Sequence, residues 1–308
     1  MKKSMHNFFR AGFVIALPVV SALAQENAAT LNYNSLPPPS PRESGWETGV
    51  NAAYVGGSSA KFNGQRRGDS DAFNFNVEAG TRIPLGEEWS LNVKLASDNF
   101  FFDQVAGDPI PSSVHTLRLN MRVNRQLNEQ WTVSGLLMPS LYRFENVGQN
   151  DLGIAGGIMA MYRVTPSLTL KMGVLADPDS DIKLLPLLGV HWVINEHYSL
   201  DAGIPRTRLT YKVSSDWQIY AGADLSGTTF RSSDRLVSTP ASSRYNDALA
   251  NYRDVRLGVG VGTELTSGIR MEVEAGYSVY REIKYTHLDT TVKFNPAPYV
   301  RLGLTVKF

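Results

Sequence analysis

From Phe73 to the C-terminus the chain keeps returning to a two-residue alternation of apolar and polar side chains. That pattern gives a strand one apolar and one polar face. Phe73, Phe75, Val77, Ala79, Thr81 and Ile83 alternate with Asn74, Asn76, Glu78, Gly80 and Arg82. Trp89, Leu91, Val93 and Leu95 repeat the pattern, as do Leu117, Leu119, Met121 and Val123. Val255 to Val261 and Met271 to Tyr277 do so again. These runs are about 9 to 13 residues long, which suits a tilted strand crossing a bilayer better than a strand of ~5–6 residues typical of soluble proteins. No segment after residue 24 offers the ~18 consecutive apolar residues of a membrane-crossing helix.

Connections alternate too. Short turns are expected near 84–88, 126–130, 165–167, 195–198, 214–216 and 266–268, and longer polar loops near 58–72, 103–113, 145–150 and 231–252. Trp46, Trp89, Trp131, Trp192 and Trp217 all fall beside strand ends on the short-turn side, where an interfacial aromatic girdle would place them. The expected fold class is all-β, an antiparallel transmembrane β-barrel of about 12–14 strands. The count turns on Pro205. If the chain reverses at Ile204-Pro205 the number is 14, and if Pro205 is only a bulge it is 12.

The N-terminus reads as an address. Lys2, Lys3 and Arg10 precede an apolar run from Ala11 to Val20, and Ala22-Leu23-Ala24 is a small-x-small cleavage site, with Ala22 and Ala24 as its small residues. Residues 1–24 are therefore expected to be a cleaved signal peptide. Residues 25–44, which include Pro37-Pro38-Pro39 and Pro41, are expected to be a flexible tail, and 45–308 the barrel. The chain has no Cys, which excludes disulfides, thiolate metal sites and a Cys nucleophile. A formal net charge of +1 gives no pull toward nucleic acid.

The last residues, Tyr299 to Phe308, alternate as a final strand and end in an aromatic carboxy-terminus. Arg301, Gly303, Val306 and Phe308 resemble, position by position, the C-terminal assembly signal of Gram-negative outer-membrane proteins. Over about residues 45–308 the chain resembles uncharacterised porin-like outer-membrane barrel families. The resemblance implies residence in the outer membrane, contact with its lipid, and folding by the barrel assembly machinery.

The polar face of each strand would line the interior. Candidate pore-lining residues are Arg82, Arg118, Arg122, Arg206, Arg208, Arg256, Glu272 and Glu274. Two outcomes stay open. Surplus Arg and Lys could leave a water-filled, anion-favouring passage for small hydrophilic solutes, with Arg206 and Arg208 as its constriction. Alternatively, Arg–Glu pairs could fill the interior of a closed structural or surface-binding barrel. Which holds depends on strand register.

An enzymatic role is not expected. The mature chain has His115, His191, His197 and His287 but no G-x-S-x-G or H-E-x-x-H motif, leaving His115 and His287 as the positions for a third, lipid-modifying reading. His191 and His197 are expected at the periplasmic interface. Phe100 to Phe102 are expected in the outer aromatic girdle, Asp177 to Asp181 as a solvated turn, and Gly258, Gly260 and Gly262 as close packing or room for a neighbour's arginine. No metal or other cofactor is expected, and oligomeric state is left open.

Overall fold

The structure, a computed structural model, describes residues 45–62, 64–103, 109–144, 147–180, 182–233, 236, 240–288 and 290–308. The expected signal segment with Ala22 and Ala24, and the tail 25–44, lie outside the described residues.

The alternation becomes one sheet of fifteen antiparallel strands. They are β1 (Gly45–Phe62), β2 (Gln65–Pro84), β3 (Trp89–Phe102), β4 (Ser113–Gln126) and β5 (Trp131–Leu141). Then come β6 (Leu152–Thr165), β7 (Leu168–Ala176), β8 (Leu184–Val193), β9 (Tyr198–Gly203) and β10 (Arg206–Lys212). The chain ends with β11 (Trp217–Arg231), β12 (Leu249–Thr266), β13 (Ile269–Tyr285), β14 (Thr290–Phe294) and β15 (Ala297–Lys307). β1 pairs with both β14 and β15, which closes the sheet. β14 and β15 are two lengths of one stave, interrupted at Asn295-Pro296 where proline has no N–H to give the ladder, so the barrel has 14 staves. The count resolves at Pro205. β9 and β10 pair antiparallel, with Arg208 opposite Asp201, so the chain reverses at Ile204-Pro205.

Closure pairs the strands' backbones with one another instead of with water, which is what lets strands cross hydrocarbon. The ladder lapses beside β9 and β10, where β8 pairs with β9 only over Gly189–Val193 and β11 with β10 only up to Asp224. The outward positions are correspondingly apolar and exposed: Ile158, Leu188, Ile219, Val259, Val273 and Leu302 are examples. Trp46, Trp89, Trp192 and Trp217 are exposed at the short-turn end, and Trp131 stacks on Tyr162 there with ring centroids 4.6 Å apart. At the other end Tyr54, Phe73 and Phe101 form an outward row, each opposite the next in register.

Residues 58–72, expected as a loop, instead continue the β1–β2 ribbon until Phe62 pairs with Gln65. Here the inward face still packs on the core through Ala60, Phe62 and Ala72, while the outward face has passed the lipid and meets water, so the alternation fades from the sequence. β9 and β10 are short, 6 and 7 residues, and rise roughly 15 Å against an apolar band of about 25 Å. The wall is therefore low between β8 and β11.

At the outer end β11 leaves the round wall. Thr228 Oγ1 lies 2.9 Å from Thr116 Oγ1 of β4, and the Arg231 N–H donates to the Tyr142 carbonyl beyond β5 at 3.2 Å. Leu225, Thr229 and Asn251 hold outward positions by alternation yet are buried. Leu225 and Val255 share an apolar cluster with Leu136, Met138, Met159, Leu175, Leu185 and Leu187, which are inner-face residues of β5–β8. The outer halves of β11 and β12 therefore fold into the barrel. A second cluster fills their other side, where Tyr252 meets Phe100 and Phe102 with ring centroids 5.1 and 5.0 Å apart. Phe100 and Phe102 thus sit in the core, because alternation turns them inward; only Phe101 stays outside in the girdle.

The bend has a glycine basis. Gly222, Gly258 and Gly276 stand directly opposite one another across β11, β12 and β13. A methyl on Gly222 would run into the Thr207 carbonyl oxygen, and one on Gly276 into that of Leu257.

Candidate functional site

Just below the fold-in, inner-face residues of five strands build a layer of paired charges. Arg206 and Arg208 come from β10, Asp224 from β11, Asp254 and Arg256 from β12, Glu272 and Glu274 from β13, and Arg301 from β15. Arg206 holds Asp224 at 3.1 Å, and Arg208 grips Glu272 with both terminal nitrogens at 3.0 and 3.2 Å. Arg301 bridges Asp224, at 3.2 Å, and Glu274. Arg256 donates to Asp254 at 2.7 Å and reaches Asn74 of β2 at 2.9 Å. Arginine suits this layer, since its planar fork satisfies two carboxylate oxygens at once.

Two tyrosines complete it. The Arg208 guanidinium lies 3.6 Å from the Tyr220 ring centroid, and the Tyr299 hydroxyl donates to Glu274. Gly258 and Gly260 leave the space these rings occupy, because a Cβ on either would strike Tyr299 or Tyr220. The glycines therefore make room for tyrosines rather than directly for arginine.

Four arginines and four carboxylates thus pair within the layer, and Arg270 at its cavity side adds a fifth arginine, on Glu272 at 3.0 Å. Arg206 and Arg208, expected to form a constriction of surplus positive charge, are each paired with an acid. Their acids come from β11 and β13, which no inspection of β10 alone could supply. On the opposite wall Arg118 pairs with Asp98 at 3.4 Å and Lys94 with Glu78 at 2.9 Å. All eight candidate residues hold inner-face positions. Arg206, Arg208, Arg256, Glu272 and Glu274 meet in one network, while Arg82 and Arg122 stand apart in β2 and β4, with Asn92 between them in register. Asp224, Asp254, Tyr220 and Tyr299 were missed. The alternation Tyr220, Gly222, Asp224 could have placed two of them inside.

Below the network a cavity of about 410 Å³ opens at the short-turn end, lined in part by His191, Tyr198, Lys212, Gln218, Glu264 and Arg270. His191 is buried in the interior and bonds Asp201 at 2.7 Å, so it is not an interface residue as expected. His197 stays at the exposed turn, its ring against Tyr211. His115 faces outward, bonded to Asn99 at 2.8 Å and edged by Phe101. His287 lies in the turn Thr286–Leu288.

Asp177 departs from the solvated turn expected of it. It is buried, its Oδ1 accepts the Asp179 N–H at 3.1 Å, and burial pushes its carboxyl up to about 6. Asp181 lies outside the described residues, and no group of three or more metal-ligating side chains occurs among those described.

Of the assembly-signal positions, Arg301 belongs to the charged layer and Gly303 faces Asn51. Val306 pairs with Ile269, and Phe308 is 79% exposed, its backbone hydrogen-bonded to that of Trp46.

Among solved structures the chain is similar to a Pseudomonas aeruginosa FadL homologue, at 12% identity over 87% of this chain and 90% of that one, with a TM-score of 0.46. It is similar to an outer-membrane channel from Pseudomonas putida F1, at 12% identity, 90% and 98% coverage and a TM-score of 0.47. A TodX monoaromatic hydrocarbon channel shows 11% identity, 94% coverage of both chains and a TM-score of 0.47. No curated protein matches the sequence. Residues 41–308 match the model of DUF6268, a domain of unknown function, and the chain belongs to that family.

Proposed function

We propose that the protein is an outer-membrane channel for small solutes whose passage is gated rather than permanently open. The observation that carries this reading is the charged layer lying between a periplasmic cavity of about 410 Å³ and the folded-in strands above. A barrel of about eight strands can be filled by its own side chains. This one has 14 staves and fills the extra space by bending β11 and β12 inward. A filling made of strand ends and ion pairs can move aside, because hydration of the separated charges offsets the attraction they lose when water enters between them. The four arginines and four carboxylates of the layer cancel, and Arg270 leaves one positive charge over at the cavity side. An anion preference would draw on Arg270 together with Arg82 and Arg122 on the opposite wall.

Among the described residues no serine hydrogen-bonds His115, whose partner is Asn99. A second reading, a closed structural barrel, draws on the same inward fold.

Single-channel recording separates the two. The mature chain, 25–308, would be refolded into planar bilayers, with folding verified by heat-dependent gel mobility. Rare conductance steps are expected from the wild type, and steps at least tenfold more frequent from Arg208→Ala combined with Glu272→Ala. Reversal potentials for Arg82→Ala with Arg122→Ala test ion preference. Silence from both the wild type and the opened variant, each demonstrably folded, would overturn the channel in favour of the structural barrel.

A further inference from the structure

The outer surface carries a feature that transport does not use. Lys61 of β1 stands directly opposite Arg66 of β2 on one side and Lys293 of β14 on the other. Cross-strand partners share a face, so three cations project side by side from three adjacent strands. The face is the outward one, since Phe62 and Phe294, their chain neighbours, turn into the core. Like charges placed directly opposite one another destabilise a sheet. All three side chains are exposed. Among the described residues neither Lys61 nor Lys293 makes a hydrogen bond or ion pair, while Arg66 pairs with Asp69 at 3.1 Å. Glu282 lies opposite Lys293 in register, but it is buried and committed to Arg253 at 3.2 Å.

Height decides what such a row can meet. The outward aromatic row of Tyr54, Phe73 and Phe101 marks the outer edge of the apolar band. Lys61 and Arg66 each lie seven positions beyond their strand's member of that row, which at barrel tilt is roughly 15–18 Å. Long side chains reach back over part of that distance. Asp71, held by the Tyr54 hydroxyl at 2.7 Å, lies between and keeps the lower part of the strip acidic. With side chains reaching back about 6 Å, the cations stand outside the barrel about 10 Å above the edge of the apolar band, at the height of a glycolipid's headgroup rather than of its acyl chains. The β1–β2 ribbon is paired to Phe62–Gln65, so they are held on a rigid sheet rather than a loose loop.

We propose that Lys61, Arg66 and Lys293 form a binding site for the phosphate groups of a phosphorylated glycolipid in the outer leaflet. Phosphates carry the charge that relieves the row's repulsion, and a glycolipid presents them above its acyl chains at the height of these side chains. The site is independent of the gate. Nothing in it touches the lumen, so it stands whether or not the barrel conducts.

Vesicles supply the test. The folded mature chain would be titrated with phosphorylated lipid A glycolipid in neutral phosphatidylcholine vesicles. The same glycolipid with its phosphates removed, and inorganic phosphate alone, would be run in parallel. Tight retention of the phosphorylated form is expected. It should be weakened about a hundredfold by Lys61→Ala, Arg66→Ala and Lys293→Ala together, at about fivefold per cation. Lys61→Arg with Lys293→Arg should retain it, as should Arg125→Ala at the other end of the barrel. Heat-dependent mobility establishes that each variant is folded. Equal retention by the triple alanine variant or of the dephosphorylated glycolipid would overturn the site, as would binding of free phosphate as tight as that of the lipid.

Discussion

Removing Arg301 tests whether the charged layer is one cooperative unit. Its side chain is 9% exposed and that of Glu274 is 7% exposed, so neither falls back on water when its partner goes. Breaking a buried pair from one side costs about 3–5 kcal/mol when the remaining charge is stranded. Neither acid is fully stranded here. Asp224 keeps Arg206 at 3.1 Å, while Glu274 keeps the Tyr299 hydroxyl and has Arg208 at 3.8 Å. Arg301→Met should therefore cost about 2–3 kcal/mol, and Glu274→Gln about 1–2 kcal/mol since the amide still accepts from Tyr299. The double variant should cost no more than Arg301→Met alone, which is a coupling of about 1–2 kcal/mol. Urea unfolding of the refolded barrel, followed by heat-dependent mobility and by tryptophan fluorescence, reads all four corners of the cycle. Costs that simply add to within about 0.5 kcal/mol would mean the two side chains do not sense each other, and the network reasoning would fail.

Three more outcomes can be measured with the same material. Gly276→Ala should cut folding yield severely because its methyl meets the Leu257 carbonyl, whereas Gly135→Ala, with nothing within 4 Å, should fold normally. Asp177, raised to about 6 by burial, lowers stability as pH rises from its unfolded value near 4 through 6. Asp177→Asn should then stabilise the barrel by about 2 kcal/mol at pH 7 and by nothing below pH 4, and a gain that persisted at pH 3.5 would contradict this sign. Deleting Phe308 should leave unfolding in urea within about 0.5 kcal/mol, since its ring is 79% exposed, yet lower the amount of assembled barrel in cells. Unchanged levels there would count against the assembly-signal reading.

The wall was legible in the sequence because lipid imposes its rule residue by residue. Phe73 to Ile83 alternates because each outward position must be apolar and each inward one is free to be polar. The five tryptophans likewise gave away the short-turn end. Two kinds of fact were not legible. Outside the bilayer the rule lapses, so the paired residues 58–72 read as loop. Inside, partners are chosen by register, and Arg208 finds Glu272 from a strand 64 residues away. The inward fold escaped for a further reason. Leu225 and Val255 look lipid-facing by parity, and an apolar residue carries the same signature whether it meets an acyl chain or Leu187.

The closing pair of staves also has a consequence for how the chain must be made. β1 finds its second neighbour only in β14 and β15, the last strands of the sequence, with Glu47 opposite Lys307. Until the C-terminus arrives, both margins of the growing sheet carry unmet N–H and C=O groups, which hydrocarbon does not tolerate and which invite pairing with other chains. No stable half-barrel is available on the way, and closure is a contact between the two ends of the chain, the slowest kind to find by diffusion. A protein built this way needs its nascent margins guarded during export and released together at the membrane.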